Sequence, residues 1–257
     1  IKDRNKDKIH PEKQNRPIAS GEVSLFEAFV LLIITIGGSL LIAAIIPNVK
    51  DNSKILFIST LILIFFTNQL YTYYFKHIAL FDVTFIALNY IWRAIAGVVI
   101  INVYLSPWLF ALGFLFALFL ALAKRRGDII LLGNKAKDQR KVFEVYTLPL
   151  LDQFISIVAG SMIVAWAIYI IEAPFRTNVP VTFTNENLAL LSIPLITITI
   201  MKLVLLLQTN GKYARRAEFI FFDRDIIILG VLSAIIIILA IYWNHLENQL
   251  IKVFSFI

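Results

Sequence analysis

Residues 107–128 read PWLFALGFLFALFLALAKRRGD: seventeen uncharged residues from Pro107 to Ala123, then Lys124, Arg125, Arg126 and Asp128 within five positions. An apolar run of that length is close to the roughly 20 residues that cross a bilayer's hydrocarbon core. Six further segments of the same kind lie around it, at about Leu25–Ile46, Ile55–Phe75, Ile78–Asn102, Leu148–Ile171, Asn187–Leu207 and Ile226–Trp243. Several are rich in Ile, Val and Thr, which in water would argue for strands. In lipid every backbone polar group must be satisfied within its own segment, so helices are expected. The strands of a membrane barrel would be short and alternating, and these runs do not alternate. The expected fold class is all-α, a multi-pass transmembrane helix bundle, with residues 1–257 as a single integral membrane domain.

Composition supports the same conclusion. The chain is 59% hydrophobic and 16% charged, against about 45–50% and about 25% for a soluble domain. It has no cysteine, so a disulfide framework or thiolate metal site is excluded. The net charge of +7 would suggest nucleic acid for a soluble protein. In a membrane protein it points instead to loop asymmetry and anionic substrates.

The connecting segments divide strictly by side. Residues 1–24, 76–77, 124–147 and 208–225 together carry 18 Lys and Arg, whereas 47–54, 103–106, 172–186 and 244–257 carry 4. The first set is therefore expected on the cytoplasmic side. Tyr71, Tyr73, Tyr74, Trp108, Tyr146, Tyr242 and Trp243 cluster near segment ends, as in an interfacial aromatic belt.

The polar chemistry concentrates on the basic side. Asp3 and Asp7 are four apart and would share a helix face; they could hold Mg²⁺, which favours carboxylate, water and phosphate oxygens, or form part of a solvated charge run. His10-Pro11 and Arg16-Pro17-Ile18-Ala19-Ser20-Gly21 have the punctuation of defined turns. In the loop expected at 124–147, Lys124 and Asp128 could form a simple helical pair. Its arginines suit phosphate, and cations alternating with a carboxylate suit a metal–diphosphate complex. Asp82, Arg93, Asp152 and Lys202 lie in or near apolar segments, where ionisable groups usually face a cavity or a partner. Arg93, about halfway along its segment, is expected to be functional or buried in a pair. Ala94, Ala96 and Gly97 beside it suit close helix contact.

The stretch Asp3-x-x-x-Asp7-x-x-His10-Pro11-x-Lys13-x-x-Arg16-Pro17-Ile18-Ala19-Ser20-Gly21 resembles the second half of the first Asp-rich motif of the UbiA superfamily of intramembrane transferases. Leu80-Phe81-Asp82, Arg93-Ala94-Ile95-Ala96-Gly97, the run Phe119–Asp128, Arg140 with Tyr146, and Phe222-Asp223-Arg224-Asp225 are most similar to its decaprenyl-phosphate phosphoribosyltransferase branch. That branch usually has Glu where Asp128 stands. An Arg-Tyr pair common near Met201-Lys202 is replaced here.

The resemblance implies a nine-helix fold, of which the seven segments would be helices three to nine, with the first two helices and the leading Asn-Asp of the motif outside this chain. It also implies transfer of a 5-phosphoribosyl group from phosphoribosyl diphosphate to a polyprenyl phosphate, with Mg²⁺, in the cell membrane, and an association with cell-wall biosynthesis. Catalytic roles would fall on Asp3, Asp7, Lys124 and Asp128, with Asp3 and Asp7 as metal ligands. Lys13, Arg16, Arg93, Arg125, Arg140 and Tyr146 would bind substrates, and His10 would be structural. The alternative on the same fold is transfer of a prenyl group from prenyl diphosphate to an aromatic or lipid acceptor, which would call for a second acid cluster in 124–147. A transporter or lipid-binding module would spread polar groups over mid-membrane repeats, and no internal repeat is visible.

Overall fold

The structure is a computed structural model that describes residues 2–8, 14–47, 50–103, 106–133, 136–173, 183–209, 213 and 217–254. Among these there is no strand. Two short turns, α1 (Arg4–Asp7) and α2 (Pro17–Ser20), precede the long helices α3 (Leu25–Ile45), α4 (Asp51–Tyr73), α5 (Phe81–Ile101) and α6 (Pro107–Leu132). A further turn, α7 (Ala136–Gln139), leads to α8 (Leu148–Glu172); short α9 (Glu186–Leu190) continues into α10 (Ser192–Thr209), and α11 (Arg224–Phe254) closes the order. Seven helices are long and apolar enough to cross a membrane, and the chain is an integral membrane protein.

Local chemistry explains several boundaries. Ser24 caps α3 with a full capping box: its hydroxyl accepts from the Glu27 N–H at 3.2 Å and the Glu27 carboxylate accepts from the Ser24 N–H at 2.8 Å. Pro17 begins α2, where a missing N–H costs nothing. Gly21 ends it at φ +94°, a left-handed conformation natural to glycine. The expected turns around Arg16–Gly21 are thus present, while His10, Pro11 and Lys13 lie outside the described residues.

The expected boundaries need two substantial corrections, one at the seventh segment, where α11 runs past Trp243 to Phe254, and one at the fourth. The fourth segment does not end at Ala123; α6 runs on through Lys124–Asp128 to Leu132. Its charged turn stays helical because Arg125 and Arg126 are buried against carboxylates from neighbouring helices. The loop expected from 124 therefore begins only after Leu132.

The helices pack mainly on their sequence neighbours: α3 on α4, α4 on α5, α5 on α6, α6 on α8, α8 on α10 and α10 on α11. The core lies between α5, α6, α8 and α10, around Phe119, Leu122, Leu151, Ile155 and Leu207. Leu, Ile, Val and Phe side chains cover the outside, with Phe26, Leu41 and Ile42 more than half exposed, as a surface solvated by lipid allows. Polar ties join neighbours: Thr67 to Asn89 at 2.9 Å, and Trp108 to Glu172 at the far end of α6 and α8. At the opposite end Arg126 binds Asp152 at 2.6 Å and the Leu207 carbonyl at 2.9 Å, linking α6, α8 and α10. All six ion pairs among the described residues sit at this basic end.

Candidate active site

The site is built on a buried carboxylate. Asp82, in the first turn of α5, is fully buried. One of its oxygens accepts from Arg125 Nε at 2.6 Å, the other from the Tyr146 hydroxyl at 2.7 Å. The Tyr146 oxygen in turn accepts the Leu80 N–H at 2.7 Å. Leu80 has φ +68°, a conformation rare for a branched side chain. The bond from its N–H holds that strained turn and with it the start of α5. Burial raises the Tyr146 pKa, and the neighbouring Asp82 carboxylate acts in the same direction. The phenol therefore keeps its proton and remains the donor to Asp82.

Arg125 carries the network outward. Its side chain is 2% exposed, and besides Asp82 it binds Asp128 at 3.2 Å. Asp128 takes this i, i+3 pair and not the possible i, i+4 pair with Lys124, which leaves the exposed Lys124 without an ion pair among the described residues. Arg125 Nη2 also approaches the Tyr71 hydroxyl at 3.5 Å, and Arg140 Nη1 reaches the same oxygen at 3.1 Å.

These groups line a cavity of about 450 Å³ between α4, α5 and α6, closed on one side by Phe221. Its polar wall is Tyr71, Lys124, Arg125 and Arg140; its apolar wall includes Ile86, Ala117 and Leu120, with Tyr90 further along α5. The described lining has three cations and no carboxylate. A cavity with a cationic and an apolar wall at a membrane interface is suited to a phosphate-bearing ligand with an apolar neighbour.

The family model described as "UbiA prenyltransferase family" matches residues 1–223. The chain belongs to that family. Among curated relatives it is 26% identical over 213 residues to a protein named decaprenyl-phosphate phosphoribosyltransferase from Mycolicibacterium smegmatis, covering 82% of this chain and 64% of the relative. A protein of the same name from Corynebacterium glutamicum is 27% identical over 168 residues, 63% of this chain and 48% of the relative. An uncharacterized protein from Sinorhizobium fredii is 32% identical over 136 residues, 51% of this chain and 24% of the relative. The chain thus spans less than two thirds of the length of these relatives.

In this UbiA family member the two N-terminal acids do share a helical turn, with the Asp7 N–H donating to the Asp3 carbonyl at 2.8 Å. Their carboxylates face cations: Asp3 meets Lys76 at 2.7 Å and Asp7 meets Arg16 at 3.0 Å. The first pair docks this segment on the short turn just past the end of α4, five residues after Tyr71. Lys2 lies over the Tyr73 ring at 3.6 Å, on the same helix. No group of three or more His, Asp or Glu suited to a metal occurs among the described residues. Two carboxylates suffice as the protein's share of a Mg²⁺ site, because that ion commonly takes one or two carboxylates plus substrate phosphates. The donor chemistry therefore fits.

The other expected site residues divide. Lys124, Arg125 and Arg140 line the cavity, while Asp128 and Tyr146 stand behind it, bound to Arg125 and Asp82. Arg16 lies with Arg4 and Asp7 along a separate groove at the start of α3. Arg93 is not buried in an ion pair. It is exposed and lies over the Tyr90 ring at 5.6 Å, on the cavity-facing side of α5 but about 10 Å beyond Ile86 by helical rise. Asp152 pairs with Arg126, and Lys202 with Asp225 at 2.7 Å. Tyr71, expected in the aromatic belt, instead lines the cavity, and Asp82, marked in the sequence by the Leu80-Phe81-Asp82 resemblance and its place at an apolar segment, is the site's buried anchor; their partners lie 43–69 positions away, beyond the reach of any local pattern.

Proposed function

We propose that this UbiA family protein transfers a 5-phosphoribosyl group from phosphoribosyl diphosphate to a polyprenyl phosphate. The observation that carries this reading is the cavity wall, with three cations and no carboxylate. A prenyl diphosphate donor held by two acid-bound metal clusters would call for a second carboxylate cluster here. Instead Asp128 is engaged by Arg125, and Glu144 is exposed away from the described lining. The printed names of the relatives favour the same substrates.

In this reading an oxygen of the lipid phosphate attacks the anomeric carbon of the ribose. The bond from that carbon to the diphosphate oxygen breaks, and diphosphate leaves with the electron pair. The nucleophile is already an anion, so no general base is needed. Lys124 and Arg140 bind donor phosphates at the cavity mouth, and Arg125 adds positive charge from behind. Asp128 orients Arg125. Arg93 holds the acceptor phosphate, with the isoprenoid tail in the apolar space between helices; Arg16, beside Asp7, and Lys13 would meet donor phosphate oxygens at the Asp3–Asp7 end, outside the cavity. Asp3 and Asp7 would hold Mg²⁺, which supplies neutralising charge for the departing diphosphate. Placement and electrostatic stabilisation then carry the rate. The basic end faces the cytoplasm, where a soluble phosphorylated donor is available, and the protein resides in the cell membrane.

The test is an assay of the membrane-embedded protein with Mg²⁺, radiolabelled phosphoribosyl diphosphate and polyprenyl phosphate, beside a second assay with prenyl diphosphate and an aromatic acid. Label moving into lipid in the first supports the proposal. Product formed only in the second moves the function to prenyl transfer. In the first assay Asp3→Asn is expected to raise the Mg²⁺ needed for half-maximal transfer by on the order of tenfold, the effect of about 1.4 kcal/mol. An unchanged Mg²⁺ titration would remove Asp3 from the metal site.

A further inference from the structure

The bonding at Tyr71 leaves one hydrogen with a single direction to go. Arg125 and Arg140 are donors only, and both reach the Tyr71 oxygen, at 3.5 and 3.1 Å. The phenol oxygen is therefore an acceptor in both contacts, and its own O–H remains to be donated elsewhere. Within the protein Tyr71 donates to no described residue, and it lines the cavity next to Lys124. A phenol wedged between two guanidinium groups, its hydrogen facing a cation-walled cavity, is a neutral donor placed where an anionic oxygen would sit.

We propose that Tyr71 is a substrate-contacting residue that donates its hydroxyl hydrogen to a non-bridging phosphate oxygen of the bound donor. This deepens the phosphoribosyl reading and rests on it for the identity of the donor. Two features argue against a merely structural hydroxyl. Arg125 is already held by Asp82 and Asp128 and does not need the Tyr71 hydroxyl to fix its place. A purely interfacial tyrosine would turn its hydroxyl toward the lipid headgroups, as the exposed Tyr74 is free to do, not toward two buried or half-buried arginines. The contact also gives the site a shape preference. Arginine and lysine attract any anion, whereas an O–H fixed by two acceptor contacts points along one line and selects an oxygen at one place.

Three phosphate sources could supply that oxygen: the diphosphate of the donor, its 5-phosphate, or the lipid phosphate. Binding of inorganic diphosphate, phosphoribosyl diphosphate, ribose 5-phosphate and a short-chain polyprenyl phosphate would be measured by calorimetry on purified protein in nanodiscs, with wild type, Tyr71→Phe and Tyr74→Phe. Hydrogen bonds to charged groups predict that Tyr71→Phe binds phosphoribosyl diphosphate about ten- to a hundredfold more weakly, with an unchanged unfolding temperature, while Tyr74→Phe binds as wild type. A matching loss for inorganic diphosphate assigns the contact to the diphosphate, and a loss for ribose 5-phosphate alone assigns it to the 5-phosphate. Tyr71→Phe binding both donor ligands within twofold of wild type overturns the proposal, and so does a loss confined to the polyprenyl phosphate. Should Tyr71→Phe fail to fold, Tyr71→His decides, because a neutral imidazole offers one acceptor to the arginines and one N–H to the ligand. Donor binding within tenfold of wild type then supports the contact, and none in a folded protein overturns it. Failure of the underlying function looks different: wild type itself would bind inorganic diphosphate but not phosphoribosyl diphosphate.

Discussion

Asp82→Ala is expected to cost the protein about 3–5 kcal/mol of stability, the usual effect of removing one partner from a buried ion pair. Asp82 is fully buried, and Arg125, its partner at 2.6 Å, is almost as deeply enclosed. Without the carboxylate, Arg125 retains only Asp128 at 3.2 Å and the longer contact to Tyr71. The Tyr146 hydroxyl loses its acceptor as well, and with it the fixed position from which it holds the Leu80 N–H. One substitution therefore weakens the α5–α6 contact and the turn before α5. Thermal unfolding of the purified protein in detergent would show the loss as a drop of many degrees. Asp82→Asn should be milder, since the amide oxygen still accepts one bond but no longer balances the arginine's charge. An unchanged unfolding temperature in the alanine variant would mean that the pair contributes nothing to the fold.

Lys124→Ala should have the opposite profile. Lys124 is exposed at the cavity mouth and pairs with no described carboxylate, so its loss removes no internal bond. The unfolding temperature is expected to stay within a degree or two. Transfer should fall by roughly 10²- to 10³-fold, the typical effect of deleting one preorganised group that stabilises developing charge. Lys124→Arg should recover part of it, because the charge returns with altered geometry. Turnover close to wild type in Lys124→Ala would take this residue out of the mechanism. The two neighbours Lys124 and Arg125 thus sit one position apart but divide chemistry and architecture unequally, Lys124 serving the cavity alone while Arg125 also ties α6 to α5 through Asp82.

That division was only partly legible in the sequence. The seven helices were, because hydrocarbon imposes one solution on a long apolar run. Their ends were less so where polar residues are helical. The first turn of α4, Asp51-Asn52-Ser53-Lys54, has no hydrophobic signature, and the charged turn Lys124–Asp128 reads as an exit from the membrane. Only its long-range partners, Asp82 and Asp152, explain why α6 continues. The basic character of the site was visible in composition, and the Asp3–Asp7 spacing predicted their shared turn. Which arginines are buried and which line the cavity was not visible, since adjacent residues on a helix point about 100° apart and only the packing of other helices assigns those directions. Tyr71 was hidden among Tyr73 and Tyr74 for the same reason.

The continuation of α6 to Leu132 sets the height of the site. This helix is one rod of 26 residues, about 39 Å long at 1.5 Å per residue, against a hydrocarbon layer of about 30 Å. Lys124 and Arg125 ride on the same rod that crosses the membrane, so their level is fixed by the lipid-embedded turns below and not by the wandering of a loop. A thinner or thicker bilayer therefore shifts both cations together relative to the headgroups, since they can change depth only by moving the whole helix.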